Sequence, residues 1–177
     1  MFKKILIANR GEIAVRIIRA CKELDIRSVA IHSDVDNDAM HVRLADESIC
    51  VGSALPNNSY LNIPNIISAI EITGADAVHP GYGFLSESDK FADILTKHDV
   101  KFIGPSSKSI LELGNKSNAL KLANKHSLPI LGNEDAKNIN STKDAMEIAN
   151  NIGLPVVIKA AYGGGGKGMR VFNKIKE

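Results

Sequence analysis

Short apolar runs rich in β-branched residues alternate with stretches of helical periodicity along the first part of the chain. The runs predict strands at Ile5–Ala8, Ser28–His32, Ile49–Val51, Ala77–His79 and Lys101–Ile103. The stretches between them predict helices at about Gly11–Leu24, Ala39–Leu44, Ile63–Thr73 and Asp89–His98. Strands that alternate with helices in this way are typical of the α/β class and of a doubly wound parallel sheet.

The pattern changes after Gly104-Pro105-Ser106-Ser107, where Ser109–Leu113 predicts a short helix that ends at Gly114. We place a domain boundary there, so that residues 1–113 form the first domain and residues 114–177 begin a second. The second part predicts helices at Lys116–His126 and from Ser141-Thr142 to Ile152, an extended piece at Pro129-Ile130, and strands at Val156–Lys159 and Met169–Phe172. Because a hairpin alone is marginally stable, we expect this second domain to be incomplete.

Four consecutive glycines, Gly163–Gly166, stand between the last two strands. Without Cβ atoms, the backbone N–H groups of such a loop can close on an anion. Lys159 and Lys167 add positive charge of the kind that neutralises a triphosphate. A Walker A loop is excluded, because Ala161 and Gly168 replace its glycine and its Ser or Thr. We expect a hairpin lid over a nucleotide. The alternative, a flexible glycine-rich linker, is disfavoured by the apolar flanks.

Composition narrows the function classes further. The 22 Lys and Arg residues against 20 Asp and Glu give a net charge of +2, and no basic run exceeds two residues, so nothing supports a nucleic-acid partner.

Cys21 and Cys50 lack metal-type spacing and lie in apolar stretches, where a free thiol behaves as a small hydrophobe. The apolar run at the N-terminus ends after four residues, which indicates a strand and not a signal peptide. No window approaches a membrane span, and we expect a cytoplasmic protein.

The turn after the first strand reads Ala8-Asn9-Arg10-Gly11-Glu12-Ile13-Ala14. Asn9 and Ala14 replace two of the three glycines of the dinucleotide fingerprint, which disfavours an NAD enzyme. On the helix that follows, a core face is formed by Ile13, Ile17, Cys21 and Leu24, and a charged face by Glu12, Arg16, Arg19 and Glu23. From the residues alone, the simpler interpretation is a solvated stripe. The alternative is a two-fold subunit interface, in which arginines of one chain meet carboxylates of the other.

The segment His79-Pro80-Gly81-Tyr82-Gly83-Phe84-Leu85-Ser86-Glu87 contains more glycines and aromatic residues than a simple turn requires. It follows a buried strand, and in an open α/β sheet the carboxyl ends of the strands line the ligand crevice, so we expect it to face a bound group. For His79 a satisfied core histidine is the simpler interpretation, and for Glu87 a favourable charge near a helix N-terminus. Lys116 before a helix is a weak signal of nucleotide contact.

Together, several ordered blocks resemble the biotin carboxylase component of biotin-dependent carboxylases. They are Ile7–Ala14, Ala45–Glu47, Ser59–Asn62, His79–Glu87, Phe102–Pro105 and Lys159–Met169. The resemblance implies a Rossmann-like domain followed by an ATP-grasp domain. It implies that ATP is bound by Lys116, Lys159, Gly163, Gly164, Gly165, Gly166, Gly168 and Met169, with the N–H groups of Gly165 and Gly166 as donors to phosphate. It implies a homodimer interface at Arg16, Arg19 and Glu23. It also implies that Tyr82 and Gly83 contact biotin.

The resemblance also implies the reaction, an ATP-dependent ligation in which MgATP (or MnATP) and bicarbonate carboxylate biotin on a biotin carboxyl carrier protein, in company with a carboxyltransferase. The details look most like the bacterial acetyl-CoA carboxylase subunit, which serves malonyl-CoA and fatty acid synthesis. Ala160-Ala161-Tyr162 leaves pyruvate, propionyl-CoA and other acyl-CoA carboxylases open. Another ATP-grasp ligase and a non-catalytic binding module are further alternatives. Because the family's metal ligands and catalytic base lie beyond Phe172, we expect an N-terminal fragment that holds neither and is inactive alone.

Overall fold

The computed structural model describes residues 1–130, 139, 141–159 and 168–174, with the backbone alone at Lys116 and Ser117. The chain divides into two compact units, Met1–Ile110 and Leu111–Glu177. The boundary that the sequence predicts, between residues 113 and 114, stays a prediction. Within the described residues, no helix combines the length and apolar character needed to cross a membrane.

The first unit is built on a five-stranded parallel sheet with the order β3-β2-β1-β4-β5. Its strands are β1 (Lys4–Ile7), β2 (Arg27–Ser33), β3 (Glu47–Gly52), β4 (Ala77–His79) and β5 (Lys101–Phe102). The helices are α1 (Gly11–Glu23), α2 (Met40–Leu44), α3 (Ile63–Thr73), α4 (Asp89–Lys97) and α5 (Ser107–Gly114), the last of which runs across the unit boundary. Ile7 pairs with Ala30 of β2 and with His79 of β4. The predicted doubly wound α/β sheet is thus confirmed.

Side chains of β1 alternate between two hydrophobic clusters, one on each face of the sheet. Ile5 and Ile7 pack with α1, whereas Leu6, and Ala8 directly after the strand, pack with α3 and α4. Alternate residues of a strand point to opposite faces, so the central strand is apolar at every position that enters the core. Helices therefore cover both faces, and the carboxyl ends of the strands stay free to carry polar loops.

Helix α1 buries one apolar face, formed by Ala14, Val15, Ile17, Ile18 and Cys21. Leu24, predicted to continue that face, is the C-cap residue and is 58% exposed. The expectation was wrong because Asp25 turns the chain with φ +55° and Ile26, 7% exposed, takes the core position. The Ile26 N–H donates to the Cys21 carbonyl at 2.9 Å, which fixes this turn.

The two cysteines lie in different environments. Cys21 is buried, and burial, followed by the nearby Asp46 carboxylate, raises the pKa of its thiol. Cys50 is exposed on β3, an edge strand. The expectation that both behave as small hydrophobes therefore holds for Cys21 and is wrong for Cys50, because an edge strand leaves part of its surface open to solvent.

Two aspartates fasten the amino-terminal ends of the strands. Asp76, just before β4, accepts hydrogen bonds from the backbone N–H groups of Lys3 (2.9 Å) and Lys4 (3.0 Å) at the start of β1. Asp46, just before β3, accepts from the backbone N–H (2.8 Å) and the hydroxyl (2.7 Å) of Ser28 in β2. These carboxylates therefore fix the alignment of β4 with β1 and of β3 with β2 at the amino-terminal ends of the strands.

The second unit contains α6 (Lys116–Lys125), α7 (Thr142–Ile152) and an antiparallel hairpin of β6 (Val156–Lys159) and β7 (Met169–Phe172). Ser141, at the predicted start of this helix, caps α7 by accepting from the Asp144 N–H at 3.1 Å. Pro129 and Ile130 belong to no helix or strand, so the extended piece expected there is not a regular strand. None of the residues described between 111 and 174 is buried.

Candidate functional site

The turns after β1, β2 and β4 meet at the carboxyl-terminal edge of the first unit's sheet. Parallel strands bring their carboxyl ends to the same edge, where open α/β sheets bind their ligands. The β1–α1 turn supplies Asn9 and Arg10, the end of β2 supplies Ser33 and the 3₁₀ turn Asp34–Asp36, and β4 leads into the segment 79–87. These groups form the candidate site in this unit.

Asn9 joins the β1–α1 turn to the segment after β4. Its side chain is 3% exposed, and Nδ2 donates to the carbonyl oxygens of Pro80 (2.7 Å) and Tyr82 (2.8 Å). Oδ1 accepts from the Arg10 N–H at 2.9 Å. One buried amide therefore satisfies three backbone groups and holds both turns in one arrangement.

Tyr82 and Gly83, predicted to contact biotin, lie at the tip of this segment beside the β1–α1 turn. The Tyr82 side chain is 59% exposed, and its hydroxyl donates to Oε1 of Glu12, in the first turn of α1. A cleft of about 420 Å³ lies between the two turns. Its lining comprises Asn9, Arg10, Gly11, Glu12, Ile13, Tyr82, Gly83 and Phe84.

Arg10 closes one side of this cleft with a network of charge and aromatic contacts. Its NH1 atom lies 3.1 Å from Oδ2 of Asp36. Its guanidinium carbon lies 5.1 Å from the Tyr60 ring centroid and 5.7 Å from that of Phe84. The two rings are stacked with centroids 5.2 Å apart. Cation–π contacts and an ion pair together fix the guanidinium beside the cleft.

The carboxylate of Asp36 accepts two further hydrogen bonds, from the Tyr60 hydroxyl (2.5 Å) and the Ser33 hydroxyl (2.8 Å). Partial burial acts to raise the pKa of Asp36, but the bonds from Tyr60, Ser33 and Arg10 outweigh it and hold that pKa below its ordinary value. Burial, and next the bond to Asp36, raise the pKa of Tyr60 to about 12. At neutral pH this pair is therefore an ionised carboxylate and a neutral phenol.

His79 and Glu87 stand at the two ends of the segment. Nδ1 of His79 accepts from the Gly81 N–H at 3.1 Å, and burial lowers the pKa of the ring. The interpretation of a satisfied histidine fits this contact. Glu87 is exposed and precedes Ser88, the residue that caps α4 by accepting from the Phe91 N–H at 3.2 Å. The structure does not bring Glu87 into the cleft lining.

Arg16, Arg19 and Glu23 share one groove along α1, of about 870 Å³. Glu12 lies at one end of it, and α2 contributes Met40 and His41 to the opposite wall. The charged face that the sequence predicts is therefore one continuous surface. His41 is 1% exposed, its Nε2 lies 3.3 Å from the Ile31 carbonyl, and burial lowers its pKa.

In the second unit, the hairpin places Lys159 directly across from Met169, at the end of β6 and the start of β7. Lys159 is exposed, and Gly168 has φ +76°, a conformation that favours glycine. The antiparallel pairing confirms that β6 and β7 form one hairpin. Gly163, Gly164, Gly165 and Gly166 lie outside the described residues, as does the Lys116 side chain, so their predicted contacts with ATP stay predictions.

Comparison with known proteins settles the relationship. The family model for the biotin carboxylase N-terminal domain matches residues 1–110. The chain belongs to the biotin carboxylase family. Residues 115–177 match the model for the ATP binding domain of the carbamoyl-phosphate synthase L chain. The resemblance predicted from the sequence is confirmed across both units.

Curated relatives include the biotin carboxylase of Haemophilus influenzae, 53% identical over 97% of this chain. They also include the propionyl-CoA carboxylase alpha chain of Caenorhabditis briggsae, 52% identical over 96% of this chain. The chain spans 38% of the length of the first and 23% of the second.

Two solved structures align with 99% of this chain. One is the biotin carboxylase of Campylobacter jejuni in complex with β,γ-ATP, at 46% identity, a TM-score of 0.94 and 39% of that chain. The other is the biotin carboxylase domain dimer of the 2-oxoglutarate carboxylase from Hydrogenobacter thermophilus, in complex with MgADP, ADP and bicarbonate, at 41% identity, a TM-score of 0.93 and 38% of that chain.

The sequence reasoning missed the part that Asn9, Arg10, Asp36 and Tyr60 play at this edge of the family's N-terminal domain. From the sequence, Asn9 is a residue that replaces a fingerprint glycine and a member of the block Ile7–Ala14, and neither observation assigns a partner to its amide. A signal was present, since an asparagine that replaces a glycine at the end of a buried strand needs partners for its amide. Gly81 is the residue whose backbone makes room for this amide, because a Cβ built there would lie 2.7 Å from Nδ2 of Asn9.

Proposed function

We propose that this chain supplies the N-terminal domain and a phosphate-binding hairpin to a biotin carboxylase, which uses MgATP and bicarbonate to carboxylate biotin. The observation that carries this proposal is the alignment of 99% of the chain, at a TM-score of 0.93, with a biotin carboxylase domain solved with MgADP and bicarbonate. The Rossmann-like unit and the start of an ATP-grasp unit then belong to one nucleotide-dependent ligase.

The hairpin fits a polyanionic ligand. The exposed ammonium of Lys159 lies at the strand end, and the connection to Gly168 contains four glycines in a row. Lys159 and Lys116 would pair with phosphate oxygens, and the N–H groups of Gly165 and Gly166 would donate to them. Gly163, Gly164, Gly168 and Met169 would complete the lid, whose opening and closing meets little steric resistance without Cβ atoms.

Phosphorylation of bicarbonate by ATP requires that the negative charge of the phosphates be neutralised and that water be excluded from the site. Bicarbonate is a poor electrophile, and phosphorylation by ATP turns it into carboxyphosphate, which must be held away from solvent. A bound Mg²⁺ or Mn²⁺ supplies further neutralisation of the phosphates. Among the described residues, no group of three or more His, Cys, Asp or Glu side chains is placed to hold a metal ion. The role that we propose for this chain is to bind phosphate and to present Tyr82 and Gly83 to the biotin ring.

Partners follow from the same proposal. Biotin would arrive on a biotin carboxyl carrier protein, and a carboxyltransferase would consume the carboxybiotin in the cytoplasm. Two copies would pair through Arg16, Arg19 and Glu23, whose groove combines both signs of charge. The final acceptor is proposed to be acetyl-CoA, for fatty acid synthesis. A propionyl-CoA acceptor is the second candidate, favoured by the 52% identity to a propionyl-CoA carboxylase alpha chain.

The phosphate role of Lys159 is tested by nucleotide binding to the complete gene product. Lys159→Ala should weaken MgATP affinity by about tenfold or more, because a charge-assisted hydrogen bond to phosphate is lost. Lys143→Ala removes another exposed lysine, from α7, and should leave the affinity unchanged. Isothermal titration measures both, and equal affinities of the two variants would contradict the role.

Turnover tests the function itself. The complete gene product should form ADP from MgATP in a reaction that requires both bicarbonate and biotin. Addition of acetyl-CoA or propionyl-CoA, together with the carrier and carboxyltransferase proteins, then identifies the acceptor by the appearance of malonyl-CoA or methylmalonyl-CoA. ADP formation that is indifferent to biotin would contradict the proposal.

A further inference from the structure

The segment Pro80–Phe84 is held at two separate points, one in the β1–α1 turn and one in the first turn of α1. At the first point, the buried Asn9 amide donates to the carbonyl oxygens of Pro80 and Tyr82 at 2.7 and 2.8 Å. These two carbonyls flank Gly81, so the bonds fix the backbone on either side of one residue. The path of the chain into Tyr82 and Gly83 is therefore set by a side chain from another turn.

The approach of Gly81 to Asn9 is tight. Gly81 has φ +64°, and an ideal Cβ at this position would lie 2.7 Å from Nδ2 and 3.1 Å from Cγ of Asn9. Gly81 thus meets both requirements that favour glycine, a left-handed backbone and the absence of a side chain. A contact this close leaves the segment little freedom to shift while the Asn9 amide stays in place.

The second point is the Tyr82 side chain. Its ring is 59% exposed beside the cleft, yet its hydroxyl donates to Oε1 of Glu12. An exposed tyrosine with a free hydroxyl would rotate among several conformers. The bond to Glu12 selects the one that keeps the ring along the rim of the cleft.

We propose that Asn9 and Glu12 are positioning residues, which set the backbone and the ring of the Tyr82–Gly83 segment in the geometry that meets the biotin ring. The inference rests on the proposed function, since that function places Tyr82 and Gly83 against biotin. Asn9 and Glu12 act through the segment. Their removal therefore weakens productive biotin binding and leaves the ATP hairpin, in the other unit, unaffected.

The first test compares Asn9→Asp with Asn57→Asp in the complete gene product. Asn9→Asp keeps the shape and the acceptor for the Arg10 N–H, but it removes the donor and turns an oxygen toward two carbonyl oxygens. The apparent KM for free biotin should rise about tenfold, the effect of losing a buried hydrogen-bond donor, while the KM for ATP stays unchanged. Asn57→Asp makes the same chemical change at an exposed position and should alter neither constant.

A structural role alone gives a different result. Partial unfolding lowers the amount of active protein, so it lowers kcat and leaves both KM values as they were. That outcome, or an equal rise of both KM values, would overturn the proposal. Glu12 is exposed, and Glu12→Ala keeps the inference testable if Asn9→Asp does not fold. It should raise the biotin KM about threefold, the effect expected from one surface hydrogen bond, and an unchanged KM would overturn the role of Glu12.

Hydrogen exchange provides a readout that does not depend on turnover. In Asn9→Asp, a peptide covering residues 80–86 should exchange at least about five times faster than in the parent protein, as the segment loses its buried anchor. An unchanged rate would overturn the positioning role even if activity falls. If the parent protein shows no biotin-dependent ADP formation, the proposed function and the biotin part of this inference both fall, and the exchange rate still decides whether Asn9 fixes the segment.

Discussion

Tyr60 shows how a single hydroxyl can organise the carboxyl-terminal edge of the sheet. It is fully buried, donates to Asp36 at 2.5 Å, and accepts from the Ser33 N–H at 3.0 Å. The hydroxyl therefore satisfies a backbone donor and a carboxylate at the same time. Without it, the buried Ser33 N–H would lose its side-chain acceptor, and Asp36 would keep only the bonds from Ser33 and Arg10.

Tyr60→Phe should therefore lower the free energy of unfolding by about 2 kcal/mol, because two groups lose a partner. Urea denaturation followed by circular dichroism measures the change. Tyr82→Phe removes the same atom from an exposed side chain and should cost less than about 0.5 kcal/mol. Equal losses in the two variants would show that the buried network adds nothing.

His41 should make stability depend on pH. Burial lowers the pKa of this ring, and within the described part of the chain its Nδ1 has no hydrogen-bond partner. The folded state thus keeps the ring neutral at pH values where the unfolded chain, with an ordinary pKa of about 6.5, takes up a proton. The contribution of His41 to the free energy of unfolding is fully present above that pH and is lost as the pH drops below it. His79 contributes in the same direction, because burial lowers its pKa too.

The urea midpoint should accordingly be lower at pH 5.5 than at pH 7.5. His41→Gln keeps a donor for the Ile31 carbonyl and should reduce this difference, with the His79 share remaining. The carboxylates of Asp36, Asp46 and Asp76 have lowered pKa values and lose their contribution only in more acidic solution. A variant with an undiminished pH dependence would refute the assignment to His41.

Among the elements, β1 has the most central position, between β2 and β4. Its start is fastened by the two hydrogen bonds that Asp76 accepts from Lys3 and Lys4. Partial burial acts to raise the pKa of Asp76, but these bonds outweigh it and lower that pKa. The carboxylate therefore stabilises the fold at neutral pH, and this contribution is lost as the pH falls through the lowered value.

Asp76→Ala should lower the free energy of unfolding by about 1.5 kcal/mol, since two backbone donors lose a charged acceptor. The amides of Lys3 and Lys4 should also exchange faster with solvent in an NMR experiment. Asp38→Ala, at an exposed position, is the matched control and should change neither quantity. Unchanged exchange at Lys4 would argue against this anchor.

Most elements could be predicted from the sequence because apolar periodicity is a local signal. The predicted α3 and β4 coincide with the observed Ile63–Thr73 and Ala77–His79. The end of α1 could not be placed, because the competition between Leu24 and Ile26 for one core position is decided by tertiary packing. The glycine loop pointed to phosphate through composition alone. The hydrogen bonds from Asn9 to Pro80 and Tyr82 could not be predicted from the sequence, because they depend on which turns meet, and strand order decides that.

At the scale of the whole molecule, the hydrophobic core formed by the described residues lies in the first unit. The buried apolar residues run from Ile5 to Ile110, and none of the residues described between 111 and 174 is buried. Arg16, Arg19 and Glu23 lie together in the charged groove along α1, which is the surface that we propose for pairing with a second copy.

Arg19→Glu should weaken dimerisation of the complete gene product by at least about tenfold, because like charges would then meet across a two-fold interface. Sedimentation velocity over a range of concentrations measures the dissociation constant. Lys22→Glu reverses a charge on the same helix outside the groove lining and should have little effect. If both variants dimerise as the parent does, the pairing surface lies elsewhere.

The contrast between the two thiols has a practical consequence. Cys21 is enclosed and its raised pKa keeps it protonated, whereas Cys50 is open to solvent on an edge strand. Thiolate is the reactive species in alkylation, so a maleimide dye should attach at Cys50 alone. A fluorophore can therefore be placed on the native chain at one defined site, away from the cleft lining, without any engineered cysteine.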